Sequence, residues 1–395
     1  MRVLHLSWEF PPRIIGGIAA HVFDISRALV RRGLEVYVMT CSFPGAQRFE
    51  NISGVKINRF EAYATSDSFL GWALRMQKNM EIASSDLMDE AKGFDVFHAH
   101  DWLSAVAGVG LKHLYRRPLI TTMHSTEIGR RTGIHNDLQA SIHEIESWIT
   151  YESWRVITCS YYMRSHVAWC FHIPENKISV IPNGVDVTKF NFKFNYWEIR
   201  DRFADRFEKI LLFVGRLVPE KGLDSAIHAL PIILANGVNV KLVVVGDGPQ
   251  KEAFQRIADD YGLREKVFFA GHVDDWTLRA LYRVADTTVV PSRFEPFGIV
   301  ALEAMAARCP LVTTTAGGLN EIVDEGGTGL KVPLDDPNAL ARAILRMIRD
   351  VGFKNYAVDN AYRKCLWNYN WDKIAEWTNG LYDAVLSEHK RSAWK

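Results

Sequence analysis

The stretch ILLFVGRLVPEKGLDSAIHAL, residues 210–230, carries the reading of the fold. Ile210–Val214 is apolar throughout, as a strand buried on both faces of a parallel sheet reads. Gly215–Gly222 is a loop with two cations, and it leads into a helix. The same strand–loop–helix phrase recurs downstream, with Val-rich runs at Lys241–Val245, Val267–Ala270, Thr287–Val290 and Leu311–Thr314. Upstream, Val3–Ser7 precedes a Pro-Pro and Gly-Gly loop. A helical pattern follows over Ala19–Arg32, with Val22, Phe23, Ile25, Ala28 and Leu29 on its apolar face and Gly33 as its stop. Strands are then expected at Val36–Thr40, Val96–His98, Leu119–Met123, Val156–Cys159 and Ile178–Ile181, with an amphipathic helix over 137–153. Strands alternating with helices predict doubly wound α/β architecture. The series restarts after the aromatic, polar segment Thr188–Arg202, which reads as a linker between two such domains. Open α/β sheets bind ligands at the carboxyl ends of their strands, so residues there are expected to face a cleft.

Composition narrows the function. The 395 residues carry Lys+Arg 47 against Asp+Glu 46, a net charge of +1, which argues against a basic nucleic-acid footprint. Five cysteines, an odd number with no CxxC spacing, argue against a disulfide framework or a cysteine zinc site and suit a reducing, cytoplasmic setting. The first apolar run reaches Glu9 at once, too short for a secretory leader, and no stretch approaches a membrane span. The aromatic stretch Arg155–His172, with a few basic residues, is the segment that bears on peripheral membrane contact. No motif speaks to oligomeric state. Eleven of the 12 Trp fall in 1–197 or 367–395, as large core residues of one domain or as stacking platforms for sugar rings.

Five stretches carry candidate chemistry. Gly16-Gly17, between strand and helix, offers close backbone approach and a helix N-terminus to phosphate, or is a plain tight turn. Arg216 and Lys221 at a strand's carboxyl end suit a diphosphate, or pair with Glu220 or Asp224 as surface charge. Glu295 and Glu303 lie eight residues apart, about two helical turns, with Glu303 in an otherwise apolar helix where a carboxylate needs a partner such as sugar hydroxyls. Gly317-Gly318-Leu319 is another strand-to-helix turn with amides for phosphate. In His98-Ala99-His100-Asp101-Trp102, with His124 ending the next strand, the two histidines share a strand face. A polar cluster contacting sugar is the preferred reading there. Satisfied core histidines, or a metal site from His98, His100, Asp101 and His124, are the alternatives. No GxGxxG fingerprint is present, which lowers a dehydrogenase reading.

Taken together, GR-x3-EKG (215–222), E-P-F-G-x4-E (295–303), IPNGVD (181–186), VVVGDGP (243–249) and AGGLNEIV (316–323) resemble the retaining glycosyltransferases of family 4. SWEFPP-x3-GG (7–17) and HAHDW (98–102) resemble the glycogen and starch synthase branch, with Ile14 standing where that branch has Lys and with Glu303 as a second carboxylate. The resemblance implies the GT-B fold: two Rossmann-like domains facing a central cleft, with a C-terminal helix, here Trp367–Leu386, crossing back to the first. The boundaries implied are 1–187 plus 367–395 on the acceptor side, 188–202 as linker, and 203–366 on the nucleotide-sugar side. It implies no required cofactor or metal. The donor is ADP-glucose or UDP-glucose, with GDP-mannose as the alternative, and the acceptor is a glucan, sugar or sugar phosphate. By the same resemblance Arg216 and Lys221 hold the donor diphosphate, while Gly16, Gly17, Gly318 and Leu319 contact phosphate. Glu303 binds ribose, Glu295 and the backbone of Phe297, Gly298 and Ile299 hold the transferred sugar, and His124, Asp101 and Asn183 line the sugar and acceptor side. The chemistry implied is a front-side displacement without a covalent intermediate. A mannosyltransferase of lipid or polysaccharide synthesis and a non-catalytic nucleotide-sugar-binding protein are the rival readings, and an epimerase on the same scaffold is a further one.

Overall fold

In the computed structural model, which describes residues 1–62 and 68–394, the chain divides into two units, Met1–Gly184 with Trp371–Lys395 and Val185–Asn370. The first is built on β1 (Arg2–Leu6), β2 (Glu35–Cys41), β3 (Phe49–Ile52), β4 (Val55–Phe60), β5 (Val96–His100), β6 (Leu119–Met123), β7 (Arg155–Thr158) and β8 (Ile178–Val180). Their order is β3-β4-β2-β1-β5-β6-β7-β8, parallel except for the β3–β4 hairpin. That hairpin escapes the sequence reading. Phe49–Ile52 is an exposed edge strand without a buried run, and the Ser53-Gly54 turn, with both residues at positive φ, is its local mark. β1 lies inside the sheet, buried from Val3 to Leu6, as its apolar run requires.

The C-terminal helix of this unit begins at Trp371, not Trp367. Residue 367 belongs to the preceding helix Val351–Asn368, which ends at Tyr369, and Asn370 Nδ2 donates back to the Leu366 carbonyl. Helix Trp371–Arg391 closes the first core: Ile374, Tyr382 and Val385 are fully buried and join a cluster with Val3, Val22, Ile25, Leu29 and Val36. Trp377, on the same helix, is 42% exposed.

The second unit holds β9 (Lys209–Val214), β10 (Val240–Val245), β11 (Val267–Gly271), β12 (Thr287–Val290), β13 (Leu311–Thr314) and β14 (Leu330–Val332). They form a wholly parallel sheet in the order β11-β10-β9-β12-β13-β14. The order reverses between β9 and β12, so the loops after these two strands are neighbours at the carboxyl edge, the place where such sheets bind ligands. Residues 188–202, expected as a linker, fold into this unit as a turn at Val187–Phe190 and a helix at Tyr196–Arg200. Their anchor is buried Arg200, which donates to the carbonyls of Val284 (2.7 Å) and Glu208 (2.6 Å) and to Asp286 Oδ2 (2.8 Å).

Trp102 and Trp371 are buried, as core residues, whereas Trp148, Trp169 and Trp367 are exposed. Among the described residues no helix is long and apolar enough to cross a membrane. All five cysteines are free and buried.

Candidate functional site

In the second unit the loops after β9 and β12 meet. Lys221 Nζ donates to Glu295 Oε2 at 2.7 Å, and Ser292 Oγ donates to the same oxygen at 3.2 Å. The alternative partners for the loop cations are accounted for otherwise. Asp224 is held by Arg293 at 2.6 and 3.0 Å, and Arg216 is exposed with no side-chain partner among the described residues. The loop geometry demands glycine at 222: its φ is +66°, and a Cβ there would stand 2.0 Å from the Pro291 carbonyl oxygen. Lys221 and the Pro291–Phe297 loop are therefore packed backbone to backbone.

Glu295 precedes helix Ile299–Ala306, and Glu303 lies inside it, as the spacing predicts. Gly298, at φ +112°, turns the chain into that helix, and the first helical amides have no intrahelical acceptors. Glu303 finds a partner that sequence reasoning missed: Tyr282 Oη donates to its Oε2 at 2.8 Å. Burial pushes the Glu303 carboxyl up to about 7, with the Tyr282 hydrogen bond opposing. The amides of Gly318 and Leu319, read as phosphate donors, already donate within the loop, to the carbonyls of Glu295 (2.9 Å) and Ala316 (3.0 Å). Gly318 thus braces the backbone of Glu295.

In the first unit, the Gly16 amide read as a phosphate contact donates instead to Glu9 Oε2 at 2.8 Å, beside the Ile15 amide at 2.6 Å. Glu9 is buried, and burial pushes its carboxyl up against the pull of these amides. A phosphate at Gly16 would have to displace a carboxylate. Gly17, the first residue of helix Gly17–Arg31, keeps its amide without an acceptor among the described residues. Glu9 was legible in principle, as an acid in an apolar stretch just before a glycine loop.

Asp101 ends β5 at φ 56°, ψ −178°, backbone that side-chain-bearing residues seldom adopt. The Ser104 amide (3.2 Å) and hydroxyl (2.9 Å) hold its carbonyl, and its Oδ1 accepts the His124 amide at 2.7 Å. Burial pushes the Asp101 carboxyl up to about 6, against the Arg130 charge. His124 Nε2 meets His100 Nδ1 at 3.2 Å, and His100 Nε2 meets His5 Nδ1 at 2.9 Å. His98 stacks on His100 with centroids 4.4 Å apart, as their shared strand face predicts. Both its nitrogens are satisfied, by Tyr382 Oη (2.6 Å) and Thr122 Oγ1 (2.7 Å). Burial takes His5 and His124 down to about 3 and puts His21, His98 and His100 well below the usual range, so all five imidazoles are neutral at neutral pH. His21 stands against His124 with centroids 4.7 Å apart, and Asn183, buried, sits beside it.

The grouping of possible metal ligands differs from the sequence reading. Nitrogens of His5, His98 and His100, and of His21, His100 and His124, come within 4.8 Å of one another. Asp101 belongs to neither group, because its carboxylate turns to backbone amides. His5 and His21 were missed because each stands alone in an apolar pattern.

These sheets and sites fit what the chain is similar to. Residues 15–189 match the model for Glycosyltransferase Family 4 and residues 197–364 that for glycosyl transferases group 1. The chain is 40% identical over 391 residues to an uncharacterized glycosyltransferase of Methanocaldococcus jannaschii, covering 98% of this chain and 99% of that one. It is 34% identical over 400 residues to a glycogen synthase of Mycobacterium tuberculosis, covering 98% and 95%. A solved sucrose-phosphate synthase from Thermosynechococcus elongatus matches with a TM-score of 0.83 at 25% identity, covering 98% of this chain and 99% of that chain. By these family matches, by relatives of this identity over nearly the whole chain and by a fold of two α/β units, the chain belongs to glycosyltransferase family 4, as a hexosyltransferase of GT-B fold similar to glycogen synthases.

Proposed function

We propose that the protein transfers glucose from ADP-glucose or UDP-glucose to a glucan, sugar or sugar-phosphate acceptor, with retention at the anomeric carbon and formation of an α-glycosidic bond. The observation that carries this reading is the Lys221–Glu295–Ser292 contact at the carboxyl edge of the second sheet, beside Arg216, which has no side-chain partner among the described residues. The likeness to a glycogen synthase supports the choice of glucose.

In this reading the bond from sugar C1 to the diphosphate oxygen breaks and its electron pair leaves with the diphosphate. The acceptor hydroxyl oxygen bonds to C1 from the same face, and its proton passes to the departing phosphate oxygen. Arg216 and Lys221 stabilise the charge as it develops. Glu303 accepts hydrogen bonds from ribose hydroxyls, while Glu295 and the amides of Phe297, Gly298 and Ile299 orient the sugar. In the first unit the amide of Gly17 is the phosphate contact, Gly16 being held by Glu9; in the second unit Gly318 and Leu319 brace the loop that carries Glu295. His124, neutral, acts with Asp101 and Asn183 as a hydrogen-bonding group for sugar and acceptor rather than as a cationic acid. The five free cysteines suit a reducing cytoplasm.

The test pairs ADP-glucose, UDP-glucose and GDP-mannose with glycogen, glucose, glucose 1-phosphate and lipid acceptors, following nucleotide release and product mass. Acceptor-dependent release from a glucose donor, with an α-linked product, is the expected result. Release from GDP-mannose alone would replace glucose by mannose in the assignment. No release with any pair would overturn it.

A further inference from the structure

Two buried imidazoles of the first unit, His21 and His100, and the half-buried His124 bring their nitrogens together. His100 Nδ1 and His124 Nε2 lie 3.2 Å apart, and a nitrogen of His21 falls within 4.8 Å of both. Two nitrogens bound to one tetrahedral zinc at its usual bond length stand about 3.3 Å apart, so the first two are already at ligand spacing. His21 and Asn183 are 7% and 4% exposed and stand beside each other, yet among the described residues neither His21 Nδ1 nor Asn183 Oδ1 has a partner in hydrogen-bond geometry. Buried polar atoms are seldom left this way unless something else occupies the site.

We propose that His21, His100 and His124 form a site for a divalent transition-metal ion of the zinc class. Neutral imidazole is the form in which each would ligate the metal. His100 would give the metal its Nδ1 and donate its Nε2–H to His5 Nδ1, 2.9 Å away, which makes His5 the partner that orients it. The fourth position is left to a water, and Asn183 Oδ1, beside His21, is the acceptor for that water. The competing group, His5, His98 and His100, is disfavoured because both His98 nitrogens are hydrogen-bonded to hydroxyls outside the group, Tyr382 Oη and Thr122 Oγ1, whereas His100 Nδ1 meets only its fellow ligand His124.

His124 and Asn183 line the sugar side in the function proposed above, so the inhibitory consequence rests on that reading whereas the binding does not. An ion held here takes the lone pair of His124 and closes the space beside Asn183. The metal thus acts as a competitor of sugar, relieved by a chelator.

The experiment titrates the apo-protein with Co²⁺ and then Zn²⁺. It reads the visible absorption of four-coordinate Co²⁺, its displacement by Zn²⁺ and the stoichiometry. One equivalent is expected, with nitrogen ligation by X-ray absorption. His21→Leu should weaken Zn²⁺ binding by at least about 100-fold, and His5→Phe by about 10- to 100-fold. Circular dichroism verifies that each variant is folded. Substitution of exposed His113, outside the cluster, should change nothing. Absence of a Co²⁺ band in the wild type, or the same affinity in folded His21→Leu, overturns the site. Metal binding without inhibition of transfer leaves the site standing and removes its overlap with the sugar position.

Discussion

Lys221 Nζ stands 2.7 Å from Glu295 Oε2 although 74 residues separate them in the chain. The contact exists because β9 and β12 are neighbours at the point where the strand order reverses. It presents a cation and a carboxylate side by side at the carboxyl edge of a parallel sheet, with exposed Arg216 in the loop that follows β9.

Replacing Arg216 or Lys221 by Ala is expected to lower kcat by about 10²- to 10³-fold, because each supplies positive charge to a departing diphosphate. The melting temperature should barely move for Arg216→Ala, whose side chain is exposed, and should drop for Lys221→Ala, which leaves the buried Glu295 carboxylate without its cation while the chain stays folded. Steady-state kinetics beside a thermal melt decide it, and near-normal turnover in either variant would remove that residue from the mechanism.

Glu303 makes stability pH-dependent with a defined sign. Its carboxyl titrates at about 7 in the fold against an ordinary 4.5, so between these values the folded chain holds more protons than the unfolded chain. Its contribution to stability therefore falls as pH rises from about 4.5 to about 7 and is flat beyond. Asp101, at about 6, adds the same sign in the first unit. Glu303→Gln is expected to flatten this slope and to melt higher than wild type above pH 7, while weakening nucleotide-sugar binding. A wild-type slope in the variant would contradict the titration assigned to Glu303.

Gly222→Ala should destabilise the protein by about 1–3 kcal/mol, since the new Cβ meets the Pro291 carbonyl at 2.0 Å in backbone that already disfavours a side chain. Relief of that clash moves the loop that carries Ser292 and Glu295, so turnover should fall as well. Urea titration and kinetics together measure both effects, and an unchanged midpoint would refute the packing argument.

Ile374→Ala is expected to cost about 2–5 kcal/mol, because Ile374 is fully buried where the C-terminal helix closes the first core. Trp377→Ala on the same helix, at a position 42% exposed, should stay within about 0.5 kcal/mol. Equal losses in the two variants would mean that the helix faces the core differently.

The strands buried on both faces were legible in the chain as apolar runs, because a fully buried strand needs no partner information to be recognised. Ile210–Val214 and Leu119–Met123 appear in the fold within a residue of the reading. The hairpin Phe49–Phe60 was not legible, since its edge strand is exposed and lacks such a run. Residue types at loop positions, Arg216, Lys221, Glu295 and Glu303, likewise announced the chemistry of the second unit.

Which atoms meet was a matter for the tertiary structure alone. Nothing near Lys221 in sequence distinguishes Glu295 from Glu220 or Asp224 as its partner; strand order does. Nothing local foretells that Tyr282 would hold Glu303. His5 and His21 are single polar residues in apolar segments, and they join His100 and His124 only because β1 lies beside β5 and helix Gly17–Arg31 carries His21 against His124. The chain itself determined which segments must be buried, since burial follows from the residues of each segment. The fold decided the pairings, since a pairing depends on which segments the sheet order makes neighbours.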